Sequence, residues 1–321
     1  MNKTFMAATL VGLTTSAVFA NTIVPEISRD GKTKNDSTIA VTQQMRSFIA
    51  AEYNSTTFEP DAGGEIDTTN FDIFGGWSNK MLSIEADLDF GNVDTGAADT
   101  DFTTYDIKAG FRLNKEFALG LGYQMIDTDP NNEVSTIEIA ASYNMNNFII
   151  GASFSIVDED TGSADGSHSR IIFGVGSNET AMSWEAGLQF DLEEKDDAVT
   201  SPSRTKLFAG TTMIIGEMEI DGDIDYTTGD FTVAGGDFSE LHLNIDAEFM
   251  VGGMFYITPG IEYTTTDNNG TDTDQLDLSA DFGYRANMID ATFGIDYALM
   301  GEVGIADYDE MAWKINVAYL F

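Results

Sequence analysis

The pattern that decides the fold is clearest in the segment LSIEADLDF at residues 82–90. Every even position in it is apolar, and every odd position is Ser, Glu or Asp. Successive side chains of a β-strand point to opposite faces, so this segment predicts a strand with one apolar face and one acidic face. Residues 241–249 and 289–299 repeat the alternation, and similar segments follow one another from about residue 37 to the end of the chain.

The charge and length of these predicted strands decide between two classes of β-protein. The chain has 321 residues, with 54 Asp and Glu against 15 Lys and Arg, and a formal net charge of −39. The alternation also fits a soluble β-sandwich, but strands of about ten residues are long enough to cross a bilayer at a tilt. The polar face also carries too many carboxylates for a dry, packed interior. We therefore predict an all-β fold, a transmembrane antiparallel β-barrel with a water-filled lumen.

The composition excludes several functions. A nucleic-acid-binding protein needs a basic surface to neutralise phosphates, and this chain has the opposite charge balance. The chain contains no Cys, which excludes disulfides, thiolate catalysis and Cys-based zinc sites. An acidic disordered tail is also excluded, because Phe, Trp and Tyr make up 11% of the residues.

The first twenty residues have the pattern of a secretory signal peptide. Lys3 supplies a positive start, a short apolar stretch follows, and the segment ends on a small-x-small sequence at Ala20. The segment is too short to span a membrane, and a buried N-terminal helix is the alternative interpretation. We predict a signal peptide over residues 1–20, a periplasmic leader over residues 21–36 and the barrel over residues 37–321.

Turn residues divide the barrel region into sixteen predicted strands, with fourteen as the alternative. Seven short turns rich in Asn and Gly alternate with eight longer polar loops. An even number of strands is typical of single-chain outer-membrane barrels. The longer loops are predicted near residues 51–67, 92–101, 127–133, 158–168, 193–203, 227–237, 266–273 and 300–310.

Three strands have irregular patterns. The first, centred near residue 43, is interrupted by Gln43 and Gln44, and the facing of the tenth, from Arg204 to Ile214, is ambiguous. Pro259 lies inside the thirteenth strand. Because proline has no N–H to donate to the ladder, we expect a bulge or a misplaced boundary at that position.

The last strand carries a further pattern. Apolar residues recur at alternate positions from Met311 to Tyr319, and the chain ends on Phe321. This segment resembles the terminal strand of bacterial outer-membrane barrels, whose C-terminal aromatic residue is part of the signal read by the barrel-assembly machinery. Together with the signal peptide and the sixteen strands, the chain resembles the Gram-negative general porins. On this resemblance, Tyr319 and Phe321 belong to the assembly signal.

The resemblance to porins carries further expectations. It implies a location in the outer membrane, in contact with membrane lipids and lipopolysaccharide, with short periplasmic turns and longer extracellular loops. It also implies a homotrimer, passive diffusion of ions and small hydrophilic solutes, and no cofactor. General porins fold a long third loop into the lumen, whereas the corresponding segment here, Asp127–Glu133, is short. The best candidate for a constricting loop is the segment Ala51–Asp67.

The polar face of the strands predicts which residues line the lumen. Acids outnumber bases there, and rows of carboxylates attract cations and repel anions, so we predict a cation-preferring channel. The alternative is that many acids lie at solvated rims with little effect on selectivity. The predicted pore-lining residues are Glu85, Asp87, Asp89, Asp106, Lys108, Arg112, Glu138, Arg170, Glu185, Glu219, Asp221, Asp223, Asp225, Glu240, Asp246, Glu248, Asp277, Asp281, Arg285, Asp290 and Asp296. Lys206, Glu262 and Lys314 share this face.

The predicted inward bases have two interpretations. In porins, a basic cluster opposite acids creates a transverse field, and Lys108, Arg112, Arg170 and Lys206 are candidates for such a cluster. The alternative is that each base neutralises an adjacent Asp or Glu on a neighbouring strand.

No catalytic, cofactor-binding or metal-binding residues are predicted. The two histidines, His168 and His242, are not embedded in a recognisable catalytic motif, so we expect that the protein is not an enzyme. The acidic segment at residues 267–274 lacks the spacing of an EF-hand loop. Two alternatives to a general porin stay open: a substrate-selective channel, and a structural or adhesive surface barrel that acts through its loops.

Overall fold

Sixteen antiparallel strands close into a barrel in the computed structural model. The order around the barrel follows the sequence, and closure comes from the pairing of the first strand with the last. The structure describes residues 37–43, 47–60, 64–96, 98–128, 132–160, 165–179, 181–192, 203–230, 236–303 and 306–321. The strands are β1 (Phe48–Pro60), β2 (Ile66–Ser78), β3 (Leu82–Asp94), β4 (Asp99–Arg112), β5 (Phe117–Thr128), β6 (Asn132–Met145), β7 (Phe148–Asp160), β8 (Asp165–Glu179), β9 (Met182–Leu192), β10 (Arg204–Ile215), β11 (Met218–Asp230), β12 (Asp237–Val251), β13 (Phe255–Asn268), β14 (Asp272–Ala286), β15 (Ile289–Val303) and β16 (Ala306–Leu320). The prediction of a sixteen-stranded antiparallel barrel is confirmed.

The two faces of each strand are separated as the alternation predicts. In β3, Ile84 and Phe90 are exposed on the outer surface, whereas Ser83 and Glu85 are buried inside the barrel. Because every backbone group in the closed ladder has a strand partner on both sides, the outer surface can consist of apolar side chains in contact with lipid. The same separation resolves the facing of β10, where Phe208 points inward.

Most connections at one end of the barrel are shorter than the sequence pattern predicts, although the β9–β10 connection has the predicted bounds of 193–203. At the end of the barrel that includes the β1–β2 connection, which we call the loop end, 2 to 11 residues separate consecutive strands. At the opposite end, which we call the turn end, the separation is 2 to 4 residues. Much of the predicted loops at residues 92–101 and 300–310 belongs to strands. Backbone pairing does not need apolar side chains, so the ladder continues into polar sequence.

One helix, α1 (Thr38–Gln43), precedes β1 and occupies sequence that we predicted as the first strand. That prediction is wrong, because β1 begins at Phe48. Ser37 acts as the N-cap of α1, and its Oγ accepts a hydrogen bond of 3.1 Å from the Ala40 N–H. The constricting loop proposed at Ala51–Asp67 is also wrong, because most of that segment is β1.

Pro259 lies within β13, and neither predicted irregularity is present there. On the β12 side, Asp246 pairs with Gly260 and pairing resumes at Phe249 with Ile257, in an unchanged register. The missing N–H therefore leaves a local gap in one ladder rather than a bulge.

The described residues contain no helix that is long and apolar enough to cross a membrane. The predicted signal peptide and leader, residues 1–36, lie outside the described residues. Both stay predictions.

Candidate functional site: the barrel lumen

The predicted pore-lining residues all lie at inward positions of their strands. They occupy the same alternate strand positions as the buried polar side chains of the wall, such as Ser83, Thr104 and Gln124. Their surroundings nevertheless differ. Some of them belong to ionic networks along the wall, some lie under α1, and others surround an open cavity. An inward position therefore does not by itself expose a side chain to permeating solutes.

A closed ionic network lies at the turn end of β12–β15. Arg285 contacts Glu248 at 2.8 Å and Asp290 at 2.6 Å, and Asp290 is fully buried. The Tyr256 hydroxyl donates a 2.6 Å hydrogen bond to Asp290, and the Arg285 guanidinium lies 4.6 Å from the centre of the Tyr256 ring. The ring covers Gly283, where a Cβ atom would overlap it. One guanidinium is thus shared by two carboxylates, which holds both acids against the wall.

The four candidate bases of a transverse field are each held by a nearby oxygen. Lys108 contacts Asp106 at 2.5 Å on the same strand, and Arg112 donates to the Asn79 carbonyl at 2.6 Å. The other two pairs are Arg170 with Asp191 at 2.7 Å and Lys206 with Asp225 at 2.8 Å. This geometry favours neutralisation over an unpaired basic cluster.

An open cavity of about 740 Å³ lies on the side of the lumen formed by β12–β16 and β1–β5. Its lining carries seven carboxylates and one amine, that of Lys314, which is 3.2 Å from Asp281. The acids are Asp89, Asp246, Glu262, Asp277, Asp281, Asp296 and Glu310. We call this surface the acidic cavity.

Several acids lie directly opposite other acids on neighbouring strands. Asp221 pairs with Asp246, Glu262 with Asp277, and Asp72 with Asp89. Like charges at directly opposite positions destabilise a sheet, more so when water is excluded. Water and mobile cations in the lumen would reduce that repulsion.

The two histidines have acidic surroundings. His242 Nδ1 is 3.3 Å from Asp223 and its Nε2 is 3.1 Å from Glu262, while His168 Nδ1 is 3.5 Å from Glu159. Among the described residues, ligand atoms of Asp223, Asp225 and His242 lie within 4.8 Å of one another and could hold a metal ion. Asp225 already pairs with Lys206, which would compete with such an ion.

Helix α1 lies inside the lumen, which the sequence analysis did not predict. It packs against β3–β7, and all of its residues from Thr38 to Thr42 are fully buried. The Thr38 hydroxyl donates to Glu138 at 2.5 Å, and Thr42 Oγ1 lies 2.6 Å from Ser142 Oγ. Glu138, predicted to line the pore, therefore lies under α1.

Other inward residues were also missed. Glu52 was missed because the first strand was misplaced, and Glu310 because it was assigned to a loop. Arg204 belongs to the tenth strand, whose facing was ambiguous, and Asp72 and Asp191 lie in or next to predicted strands but were not selected. Asp72 is buried, Asp191 pairs with Arg170, and Glu310 lines the acidic cavity. Following the alternation through the whole of each strand would have found Asp72 and Asp191.

The predicted assembly residues lie on the outer surface at the turn end. Tyr319 and Phe321 are exposed, and their rings stack with centroids 6.2 Å apart. The Phe321 N–H donates to the Ser47 carbonyl at 3.1 Å, which joins the end of the chain to the start of the barrel.

Comparisons with known proteins agree with the fold. The structure is similar to a Pseudomonas aeruginosa FadL homologue, with a TM-score of 0.52, 8% identity, and coverage of 94% of this chain and 96% of that one. It is similar to P. aeruginosa OccK2 (OpdF), with a TM-score of 0.51, 8% identity, and coverage of 88% and 99%. It is also similar to CdiB from Acinetobacter baumannii, with a TM-score of 0.59, 7% identity, and coverage of 84% and 60%.

Sequence comparison is more specific about the family. No curated protein was found to match the chain in sequence. A family model described as Gram-negative porin matches residues 31–206, which is more than half of the chain. With the closed barrel, its apolar outer surface and its polar lumen, this match shows that the chain belongs to the Gram-negative porin family of outer-membrane barrels.

Proposed function

We propose that this porin is a passive, cation-preferring channel for ions and small hydrophilic solutes. The observation that carries the proposal is the acidic cavity, where seven carboxylates face one amine across about 740 Å³. Carboxylates around a water-filled space raise the local concentration of cations and lower that of anions. The bases elsewhere in the lumen offset little of this charge, because most of them pair with other carboxylates. These bases are Lys108, Arg170, Lys206 and Arg285.

Acids at the loop end extend the negative potential beyond the cavity. Glu65, in the β1–β2 connection, has its pKa raised chiefly by the charge of Asp67, with smaller contributions from Glu59 and Asp94. Mutual repulsion of this kind means that a cation approaching the loop end meets several carboxylates at once. The rim and the cavity therefore favour the same ions.

Reversal potentials in planar lipid bilayers with a KCl gradient test the proposal. The wild type should show stable conductance steps and a cation-favouring reversal potential. The triple variant Asp246→Asn/Glu262→Gln/Asp277→Asn should lower the cation-to-anion permeability ratio by roughly twofold or more, because it removes charge from the cavity without changing its shape. The difference should shrink in about 1 M salt, where the Debye length falls to about 3 Å.

A matched control removes the same number of charges from outward positions. Asp99→Asn/Glu133→Gln/Asp237→Asn changes three exposed acids near the loop end and should lower the permeability ratio less than the cavity variant does, because these side chains lie outside the lumen. An anion-favouring wild type would contradict the cation preference. A folded barrel with no conductance would contradict the channel itself.

A solute-selective channel is the second candidate, and one observation favours it. Five buried apolar residues pack together beside α1, and a second apolar cluster, which includes Phe58 and Ile66, borders the acidic cavity. The five residues of the first cluster are Ile39, Ala140, Ile149, Ile172 and Phe208. Flux through a general channel depends on solute size and rises linearly with concentration. Saturable flux of one solute class into proteoliposomes would support selectivity instead.

Assembly is a further part of the proposal. The exposed, stacked Tyr319 and Phe321 support recognition of the last strand by the barrel-assembly machinery. The proposed homotrimer rests on the family alone. The apolar outer surface is compatible with contacts to lipid, to lipopolysaccharide or to a second barrel.

A further inference from the structure

We propose that α1 is a fixed constriction that covers one side of the lumen and directs permeating ions along the acidic cavity on the other side. This inference rests on the proposed channel function and deepens it, because it identifies the part of the lumen that sets selectivity.

Polar contacts join both ends of α1 to the barrel wall. Besides the bonds of Thr38 to Glu138 and of Thr42 to Ser142, the Gln43 side-chain amide donates to Ser142 Oγ at 2.5 Å. On the other side, Ser83 Oγ donates to the Val41 carbonyl at 2.5 Å. These contacts involve β3 and β6, so the helix is held across several strands rather than at one point.

Inward glycines make room for the helix. A Cβ at Gly110 would lie 2.5 Å from the Thr42 Cα and 2.8 Å from the Val41 carbonyl oxygen, and neither backbone atom can move independently of α1. A Cβ at Gly120 would lie 2.6 Å from Thr38 Cγ2, and one at Gly122 would overlap Thr38 Oγ1. At these three positions the wall has no side chains, so α1 approaches the backbone of β4 and β5 closely.

An apolar contact extends the constriction beyond the strands under α1. Ile39, fully buried, packs in one cluster with Ile149 of β7, Ile172 of β8 and Phe208 of β10. The Phe208 ring lies over Gly187, where a Cβ would overlap it. This cluster has no polar atoms to coordinate a hydrated ion, so the part of the lumen from β6 to β10 is unfavourable for the passage of ions at this level.

The side that α1 leaves open carries the charge. The helix contains no acidic or basic residue, whereas six of the seven carboxylates of the acidic cavity and Lys314 lie on β12–β16, and only Asp89 lies on a strand that α1 contacts. Permeating cations are therefore confined to the wall on which acids are densest. Without α1, a wider lumen would let ions pass farther from those acids, and salt would screen more of the charge.

Displacing α1 while keeping the barrel intact tests this arrangement. Gly110→Val/Gly120→Val places side chains in the space where α1 contacts β4 and β5. The variant should raise the single-channel conductance by roughly 1.5-fold or more and lower the cation preference. The matched control is Gly210→Val, an inward glycine on β10 whose nearest neighbour to an added Cβ, at 3.7 Å, is an ordinary contact. It should leave both quantities unchanged.

A reversible cross-link provides the second test. The chain has no Cys, so Thr42→Cys/Ser142→Cys introduces one thiol pair at positions whose oxygens are 2.6 Å apart. With α1 locked by the disulfide, conductance and selectivity should match the wild type, and reduction should change neither. A locked conductance well below that of the wild type would mean that α1 leaves the lumen in the conducting state, which would overturn the proposal.

The outcomes separate this inference from the function on which it rests. If the wild type conducts but the valine variant has unchanged conductance and selectivity, α1 is not the constriction, and the channel proposal stands. If the wild type does not conduct at all, both proposals fail. If the valine variant does not fold, as judged by its β-sheet circular dichroism, the cross-linked protein still distinguishes a fixed helix from a mobile one.

Discussion

The wall of β3–β7 and the wall of β12–β16 have the same alternating strands but opposite surroundings inside the barrel. The first carries glycine and serine at the positions nearest α1 and is covered by an uncharged helix. The second carries six of the seven carboxylates of the acidic cavity. Alternation therefore determines whether a side chain points into the lumen. The size and charge of that side chain determine whether it contacts protein or water there.

The acid-rich wall itself has two parts. At the turn end, Glu248 and Asp290 are closed into a network by Arg285, with almost no exposure. Nearer the loop end, Asp281 and Lys314 face the cavity, with side-chain exposures of 21% and 33%. Removing a base should therefore cost stability in the first part and change selectivity in the second.

The largest expected effect is on stability, from Arg285→Met. The substitution should lower the free energy of unfolding by about 3–5 kcal/mol, because Glu248 and the fully buried Asp290 would lose their charged partner. Urea unfolding of the barrel in detergent micelles, followed by tryptophan fluorescence, measures it. A loss below about 1 kcal/mol would mean that water reaches the network and that the two parts of this wall are alike.

An intermediate effect is expected from Ile39→Ala on the opposite wall. Removing buried methyl groups should weaken the docking of α1 by about 2 kcal/mol, which corresponds to roughly 30-fold faster hydrogen exchange of the α1 amides. The control is Ile137→Ala, an outward residue of β6 that is 54% exposed, which should leave those amides protected. Equal exchange in both variants would show that the apolar cluster does not hold the helix.

The smallest effect on stability is expected from Lys314→Gln. Because the pair with Asp281 is partly exposed, the free energy of unfolding should change by no more than about 1 kcal/mol. The cation preference should increase, since the cavity loses its one amine. Reversal potentials measure this, and a shift towards anions would contradict the assignment of the cavity as the selective region.

The strand count and the facing of the lumen residues could be predicted because both depend on local sequence. A strand with Glu85 and Asp87 on one face and Ile84 and Leu88 on the other has a single register that keeps the acids out of the lipid. Strand ends were less predictable, because the ladder continues through Thr and Asp residues near the loop end. That is why Glu310 was missed.

Helix α1 could not be predicted because its own sequence suggests a strand. Thr38, Ile39 and Val41 are β-branched, and β-branched residues favour strands. Six residues do not form a stable helix in water by propensity alone. The helix is stabilised by its contacts with the side-chain-free surface around Gly110. That surface exists only once β4 and β5 are paired.

The local polarity pattern is sufficient to predict a barrel whose strands have an apolar face towards lipid and an acidic face towards the lumen, because the pattern depends only on residues that are neighbours in the chain. Only the tertiary structure decided where α1 lies, which acids are neutralised by bases, and which remain around the cavity. Those outcomes depend on partners far apart in the chain, such as Thr38 and Glu138, 100 residues apart, or Arg285 and Glu248, 37 apart. Closure of the barrel brings such residues together, and no local pattern encodes their distance.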